Sequence, residues 1–189
     1  MGQSYNVDTE ARILECASRM FMTQGYKATS TRAIAQEIGM TQPNLYHYYK
    51  NKESLYQGVM AYQLDLLNQE LQVILDCYQG DMTKSLYDLS LTLLTYQSMD
   101  YMMMQHDMTH MVSDEIRQSL RQLWQEKMLA PICQLFAKAD EVIRPDFTAE
   151  ELGSLYLSLM FAAMKVYPHL SATQLAKKFV TIFLQGVVA

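Results

Sequence analysis

Two glycines, Gly25 and Gly39, and the pair Thr41 and Pro43 divide the first fifty residues of this chain into three helical segments. Glycine takes the positive φ that ends a helix at little cost, and proline is tolerated in a helix's first turn, where its missing N–H has no partner to lose. The first segment starts at Asp8, a good N-cap, and carries Ile13, Leu14, Ala17, Met20 and Phe21 on one face until Gly25 ends it. Thr29-Ser30-Thr31 offers hydroxyl caps to a short second helix, whose Ile34, Ala35 and Ile38 face inward and which Gly39 closes. Thr41 caps a third, with Pro43 in its first turn and Leu45 as inward anchor, that runs to about Tyr48. Two short helices joined by a tight glycine turn make a helix-turn-helix.

The remainder keeps the same period. Asn51 caps a long fourth helix with Leu55, Val59, Tyr62, Leu66, Leu67, Leu71, Ile74 and Leu75 in one stripe, ending at Gln79-Gly80. Helices follow over Thr83 to about Asp100, Tyr101 to His110, and Ser113 to Ala139, the last bent at Pro131. Asp140 to Phe147, with Pro145, is a loop. Thr148 and Glu151 form a capping box for a helix that reaches about Tyr167 before Pro168 breaks it, and Ser171 caps the last. With only 7 Gly and 4 Pro in 189 residues, and no alternating-strand pattern, the expected class is all-α, about nine helices.

Three cysteines, Cys16, Cys77 and Cys133, are odd in number and far apart, which suggests neither a disulfide framework nor a CxxC metal site. The N-terminus lacks a signal-peptide pattern, and no stretch is apolar for the length a membrane span needs, so a cytoplasmic location is expected. Net charge is −5, unevenly spread. Residues 1–60 hold six basic against five acidic side chains, and the rest hold nine against fifteen. A small head that tolerates phosphates on an acidic body fits this distribution. There is no phosphate loop, no Gly-rich dinucleotide turn and no nucleophile with an evident base, so neither catalysis nor a cofactor is expected.

The third helix presents Gln42, Asn44, Tyr46 and His47 outward. Gln and Asn can each give adenine a bidentate donor and acceptor pair, worth ~1–3 kcal/mol of discrimination. Tyr46 suits a phosphate or a thymine methyl, and Thr31 and Thr41 stand at helix N-termini, where hydroxyls and free N–H groups meet phosphate. Tyr48, Lys50 and Lys52 flank the groove as further phosphate ligands, which position rather than specify. On these residues alone an ordinary bundle corner with solvated side chains competes on equal terms with a DNA-reading head.

The run TSTRAIAQEIGMTQPNLYHYYKNKESL closely resembles the N-terminal signature of TetR/AcrR transcriptional regulators. Thr29, Thr31, Ile34, Ala35, Gly39, Thr41, Tyr46, Tyr49, Lys52 and Leu55 fall on matching positions, over a stretch from about residue 9 to 56. Two departures are Pro43, where a small residue is usual, and Tyr48, where His is frequent; Pro43 removes one N–H from the phosphate contacts. The resemblance implies a helix-turn-helix DNA-binding domain over residues 1–52 and an effector-binding and dimerisation domain over 53–189. It also implies a homodimer that binds pseudo-palindromic operator DNA as a repressor and is released by a small-molecule effector. The DNA-contacting set is then Thr29, Thr31, Arg32, Thr41, Gln42, Pro43, Asn44, Tyr46, His47, Tyr48, Lys50 and Lys52.

The last two helices of the family form an intersubunit four-helix bundle, and Leu155, Leu159, Phe179, Ile182 and Phe183 are the expected interface here. The competing reading buries both faces within one chain. Fifteen methionines, six of them between Met99 and Met111, suit a pocket that repacks around lipophilic ligands, or else simply fill a core. Tyr96, Met99, Met103, Trp124, Met128, Phe161 and Met164 are the candidate effector lining. Asp88 and Asp100 suit a cationic ligand or plain solvation. His106 and His110, at i and i+4, have the spacing of two metal ligands, but two ligands do not make a site. The rival function is a helical carrier or sensor of a lipophilic molecule, haem or metal that binds no DNA.

Overall fold

The computed structural model describes residues 2–96, 112–139 and 146–187. Their regular structure is all helical: α1 (Gly2–Ala28), α2 (Thr31–Glu37), α3 (Gln42–Tyr48), α4 (Lys52–Asp76), α5 (Met82–Thr95), α6 (Asp114–Trp124), a π-helical turn (Gln125–Leu129), α7 (Ala130–Lys138), α8 (Ala149–Val166) and α9 (Ala172–Val187). None of these helices is long and apolar enough to cross a membrane. The chain forms two compact units, one of Met1–Asp65 with Gln97–Leu123 and one of Leu66–Tyr96 with Trp124–Ala189.

In the first unit the inward faces expected of the first four helices meet in one core. Ile13, Ala17 and Phe21 of α1, Ile34 and Ala35 of α2, Leu45 of α3, and Leu55, Tyr56 and Val59 of α4 are all buried. Tyr56 presents its ring edge-on to Phe21 at 5.2 Å and to Tyr26 at 5.1 Å, the arrangement that aromatic quadrupoles favour. Gly25, with φ of 79°, kinks α1 three residues before its end instead of closing it, and Gly39, with φ of 73°, follows the end of α2. Asp8 does not cap α1: the helix begins at Gly2, and no glycine or proline between Gln3 and Asp8 interrupts it. Ser30, Thr41 and Asn51 cap α2, α3 and α4, accepting from the N–H groups of Ala33, Asn44 and Ser54. The Ser113 hydroxyl accepts from the N–H of Ile116 at the start of α6, while the Ser113 N–H donates to the Glu53 carboxylate at 2.7 Å. A capping box is thereby completed by a carboxylate from the first turn of α4.

In the second unit α9 lies along α5, and α7 packs on α8. The centre is Tyr156, fully buried, with the rings of Phe179 and Phe183 each 5.2 Å away and Phe136 at 6.0 Å. Its hydroxyl pairs with Ser90 Oγ at 2.6 Å and donates to the Leu86 carbonyl at 3.1 Å, and burial pushes its pKa up. A Cβ on Gly153 would come within 2.6 Å of Cys133 Sγ and 3.3 Å of the Cys133 nitrogen, so glycine sets how closely α8 approaches α7. The Thr148–Glu151 capping box forms in both directions, 2.8 Å and 3.2 Å, and the backbone N–H of Thr148 holds the Glu151 carboxyl below its ordinary pKa.

Where a bend was expected at Pro131, the helix carries a π-helical turn, Gln125–Leu129, just before the proline. Proline has no N–H for the carbonyl four residues before it, and its ring crowds that carbonyl, so the preceding turn widens.

Candidate nucleic-acid interface

The candidate reading surface is built by α2 and α3 with the segment Tyr49 to Asn51. Leu45 is wholly buried and fixes the rotation of α3, which leaves Pro43, Asn44, Tyr46 and His47 exposed and Gln42 and Tyr48 half-buried. Arg32 and Lys50 are exposed on the neighbouring backbone.

Three of these side chains are joined. Thr31, 7% exposed, and Tyr46, 41% exposed, place their hydroxyl oxygens 3.1 Å apart. Gln42 Nε2 donates to both, at 3.0 Å each. Gln42 and Tyr46 stand at i and i+4 on one face of α3, and Thr31 opens α2, so this triangle ties the recognition helix to its supporting helix. Sequence reading placed all three on the DNA side but missed that they bond to one another; the i, i+4 spacing of amide and phenol was the available signal.

Two residues of the expected DNA-contacting set have partners within the protein. Thr29 is buried, and its hydroxyl donates to the carbonyls of Met20 at 3.1 Å and Gly25 at 2.9 Å. Lys52 is already engaged within the protein, its ammonium donating to the Lys27 carbonyl at 3.3 Å and lying 4.4 Å above the Tyr26 ring. It secures the C-terminus of α1, where a cation complements the helix dipole. Tyr49 also works inward, its hydroxyl donating to Glu10 at 3.0 Å, and burial first and that carboxylate second raise its pKa.

The candidate effector residues are only partly gathered. Trp124 and Phe161 rings lie 6.0 Å apart and Met128 is buried, whereas Met164 is exposed and Tyr96, half-buried, ends α5. Met99, Met103, Asp100, His106 and His110 lie outside the described residues. Among the described residues no group of three or more His, Cys, Asp or Glu is placed to hold a metal ion.

An apolar groove of about 250 Å³ runs between α8 and α9, lined by Leu159, Val166, Leu175, Phe179, Ile182 and Phe183 among others. Of the five expected interface residues, Leu155, Leu159 and Ile182 are exposed. Phe179 and Phe183 are 6% and 5% exposed, because they pack onto Tyr156 of the same chain; they floor the groove instead of standing out from it.

A buried-anchor recognition helix, a left-handed glycine turn and an exposed amide, phenol and imidazole face define a helix-turn-helix DNA-binding protein. Residues 13–59 match the model for bacterial regulatory proteins of the tetR family. Over 188 residues the chain is 28% identical to the HTH-type transcriptional repressor KstR2 of Mycolicibacterium smegmatis, covering 93% of this chain and 88% of that one. Its fold matches the ketosteroid transcriptional regulator KstR2 of Mycobacterium tuberculosis with a TM-score of 0.67 at 20% identity, over 96% and 95% of the two chains. It also matches AibR in complex with isovaleryl coenzyme A and operator DNA, with a TM-score of 0.68 at 23% identity, over 92% and 96%. Residues 13–59 thus carry the DNA-binding domain of the tetR family, and the chain is similar over nearly its whole length to TetR-family transcriptional regulators.

Proposed function

We propose that the protein is a cytoplasmic, non-enzymatic repressor that binds a pseudo-palindromic operator as a homodimer and lets go when a lipophilic small molecule occupies residues 53–189. The observation that carries this is the exposed face of α3, rigidly tied to α2 through Thr31 and anchored by Leu45. Gln42, Asn44, Tyr46 and His47 meet base edges. Arg32, Thr41, Pro43, Tyr48 and Lys50 meet the backbone, and Lys52 supports them from behind. Leu155, Leu159 and Ile182 form the rim of the subunit interface, and two recognition helices then enter successive major grooves about 34 Å apart.

The effector class is supported by the relatives: one similar structure holds isovaleryl coenzyme A, and another is a ketosteroid regulator. Trp124, Met128 and Phe161 supply aromatic and thioether surface for such a molecule, together with Tyr96 and Met164. A differential affinity of ~1–3 kcal/mol between DNA-competent and incompetent states is enough for release. The test is selection of duplexes from a random pool, followed by anisotropy titrations with short-chain acyl thioesters and steroid acids as candidate inducers. Binding that weakens steeply with salt, and is lost in the Tyr46→Ala, Lys52→Ala double variant while helix content is kept, is expected. Equal retention of all sequences by the variant and the parent protein would refute the reading.

A further inference from the structure

The Thr31, Gln42 and Tyr46 triangle restricts what Gln42 has left to offer. A primary amide carries two N–H donors and one carbonyl acceptor. Here Nε2 donates to both Thr31 Oγ1 and Tyr46 Oη, at 3.0 Å each, so the nitrogen end of the amide is already occupied within the protein. The amide is held this way round by the hydroxyls themselves. Their oxygens are 3.1 Å apart and must share a proton, and with nitrogen facing them the cluster makes three hydrogen bonds. With the carbonyl facing them, three oxygen–oxygen contacts would share only two hydroxyl protons, leaving one pair of oxygens in contact with no proton between them.

We propose that Gln42 enters the major groove as a single acceptor, reading an exocyclic amine through its carbonyl oxygen, and that Thr31 is the positioning residue that makes it so. Adenine N6 and cytosine N4 are the amines the groove displays, whereas guanine and thymine present acceptors there. The bidentate adenine contact open to a free glutamine is closed, because it needs Nε2 for adenine N7. Gln42 therefore accepts A or C at its position and excludes G and T. Thr31 is nearly buried, so its proton goes to Tyr46, whose own proton is then left to donate outward to a phosphate or base acceptor.

This inference rests on the DNA-reading role, and the experiment separates the two. Duplexes are selected from a random pool, and the position read by Gln42 is the one whose preference relaxes in Gln42→Ala. At that position A and C should bind within about threefold of each other, and G or T about tenfold or more weaker. Replacing adenine by 7-deazaadenine, which lacks the N7 acceptor, should leave affinity unchanged within about twofold, whereas purine without its 6-amino group should lose about tenfold. Thr31→Val frees one N–H and should shift the preference towards adenine and make 7-deazaadenine costly, while Thr31→Ser should behave as the parent. A tenfold loss with 7-deazaadenine in the parent protein, a preference for G or T, or no relaxed position in Gln42→Ala would each overturn the proposal. Salt-dependent binding to the selected duplexes in those cases would leave the regulator itself standing.

Discussion

The side-chain amide of Asn68 donates to the Lys127 carbonyl at 2.8 Å, and Lys127 lies four residues before Pro131, the residue whose N–H a regular helix would have supplied to that carbonyl. The π-helical turn Gln125–Leu129 and this side-chain donor are two halves of one solution to a proline inside a helix. Asn68→Ala should therefore destabilise the protein by about 1–2 kcal/mol, the range for losing a donor to a part-buried carbonyl. In a Pro131→Ala background, where the backbone can supply an N–H again, the same substitution should cost less. A double-mutant cycle by urea denaturation checks this, and strictly additive costs would show that the two residues are not coupled.

The buried hydroxyl of Tyr156 makes stability depend on alkaline pH. Its pKa lies above the ordinary value of 10.0, first because burial penalises the phenolate, although the Ser90 hydrogen bond opposes this. A raised pKa means the folded state keeps a proton that the unfolded state sheds. The contribution is complete below the unfolded pKa and is lost as pH rises past it, at about 1.4 kcal/mol per pH unit. Denaturation midpoints measured from pH 9 to 11 should fall less steeply in Tyr156→Phe than in the parent. At neutral pH that variant should be about 1–2 kcal/mol less stable, because Ser90 and the Leu86 carbonyl lose their partner.

Lys50 and Lys52, two residues apart, should respond differently to truncation. Lys50 is exposed, so Lys50→Ala should leave the melting temperature unchanged, weaken binding to every duplex alike, and lower the salt slope by about one. Lys52→Ala removes the ammonium from the Lys27 carbonyl and the Tyr26 ring, and should cost about 0.5–1 kcal/mol of stability as well. Thermal melts and anisotropy at three salt concentrations distinguish them; identical behaviour would mean that Lys52 has no supporting role.

The features most legible in the sequence were those decided within a few residues. Gly25 and Gly39 need positive φ, Thr41, Asn51 and Ser171 cap their helices, and Thr148 with Glu151 closes a box, all from local chemistry. What the sequence hid was decided between distant segments. Periodicity shows that Phe179, Ile182 and Phe183 are apolar, but whether a face meets the same chain or a second copy depends on Tyr156, more than twenty residues earlier. Thr29 and Lys52 match a DNA-binding signature by position, yet their partners are carbonyls of α1, which no spacing rule reveals. Pro131 was legible as an irregularity in its helix, but the sequence did not reveal that it takes the form of a π-helical turn before the proline.

The exposed apolar residues of α8 and α9 make the subunit interface testable without disturbing the core. Ile182 is 57% exposed and Leu159 is close to half exposed, and both line the groove floored by Phe179 and Phe183. A stable dimer needs roughly 1,000 Å² or more of buried surface with an apolar centre, and long apolar side chains around an apolar furrow suit helices of a second copy. Leu159→Glu with Ile182→Glu places two charges where that copy would have to desolvate them, a cost of several kcal/mol that no neighbouring cation in the groove except Lys178 can offset. Because neither residue belongs to the buried core, the double variant should keep its helix content. It should sediment as a monomer and lose operator affinity by more than about a hundredfold, since each half-site must then be bound alone. An unchanged sedimentation coefficient would move the interface away from this groove.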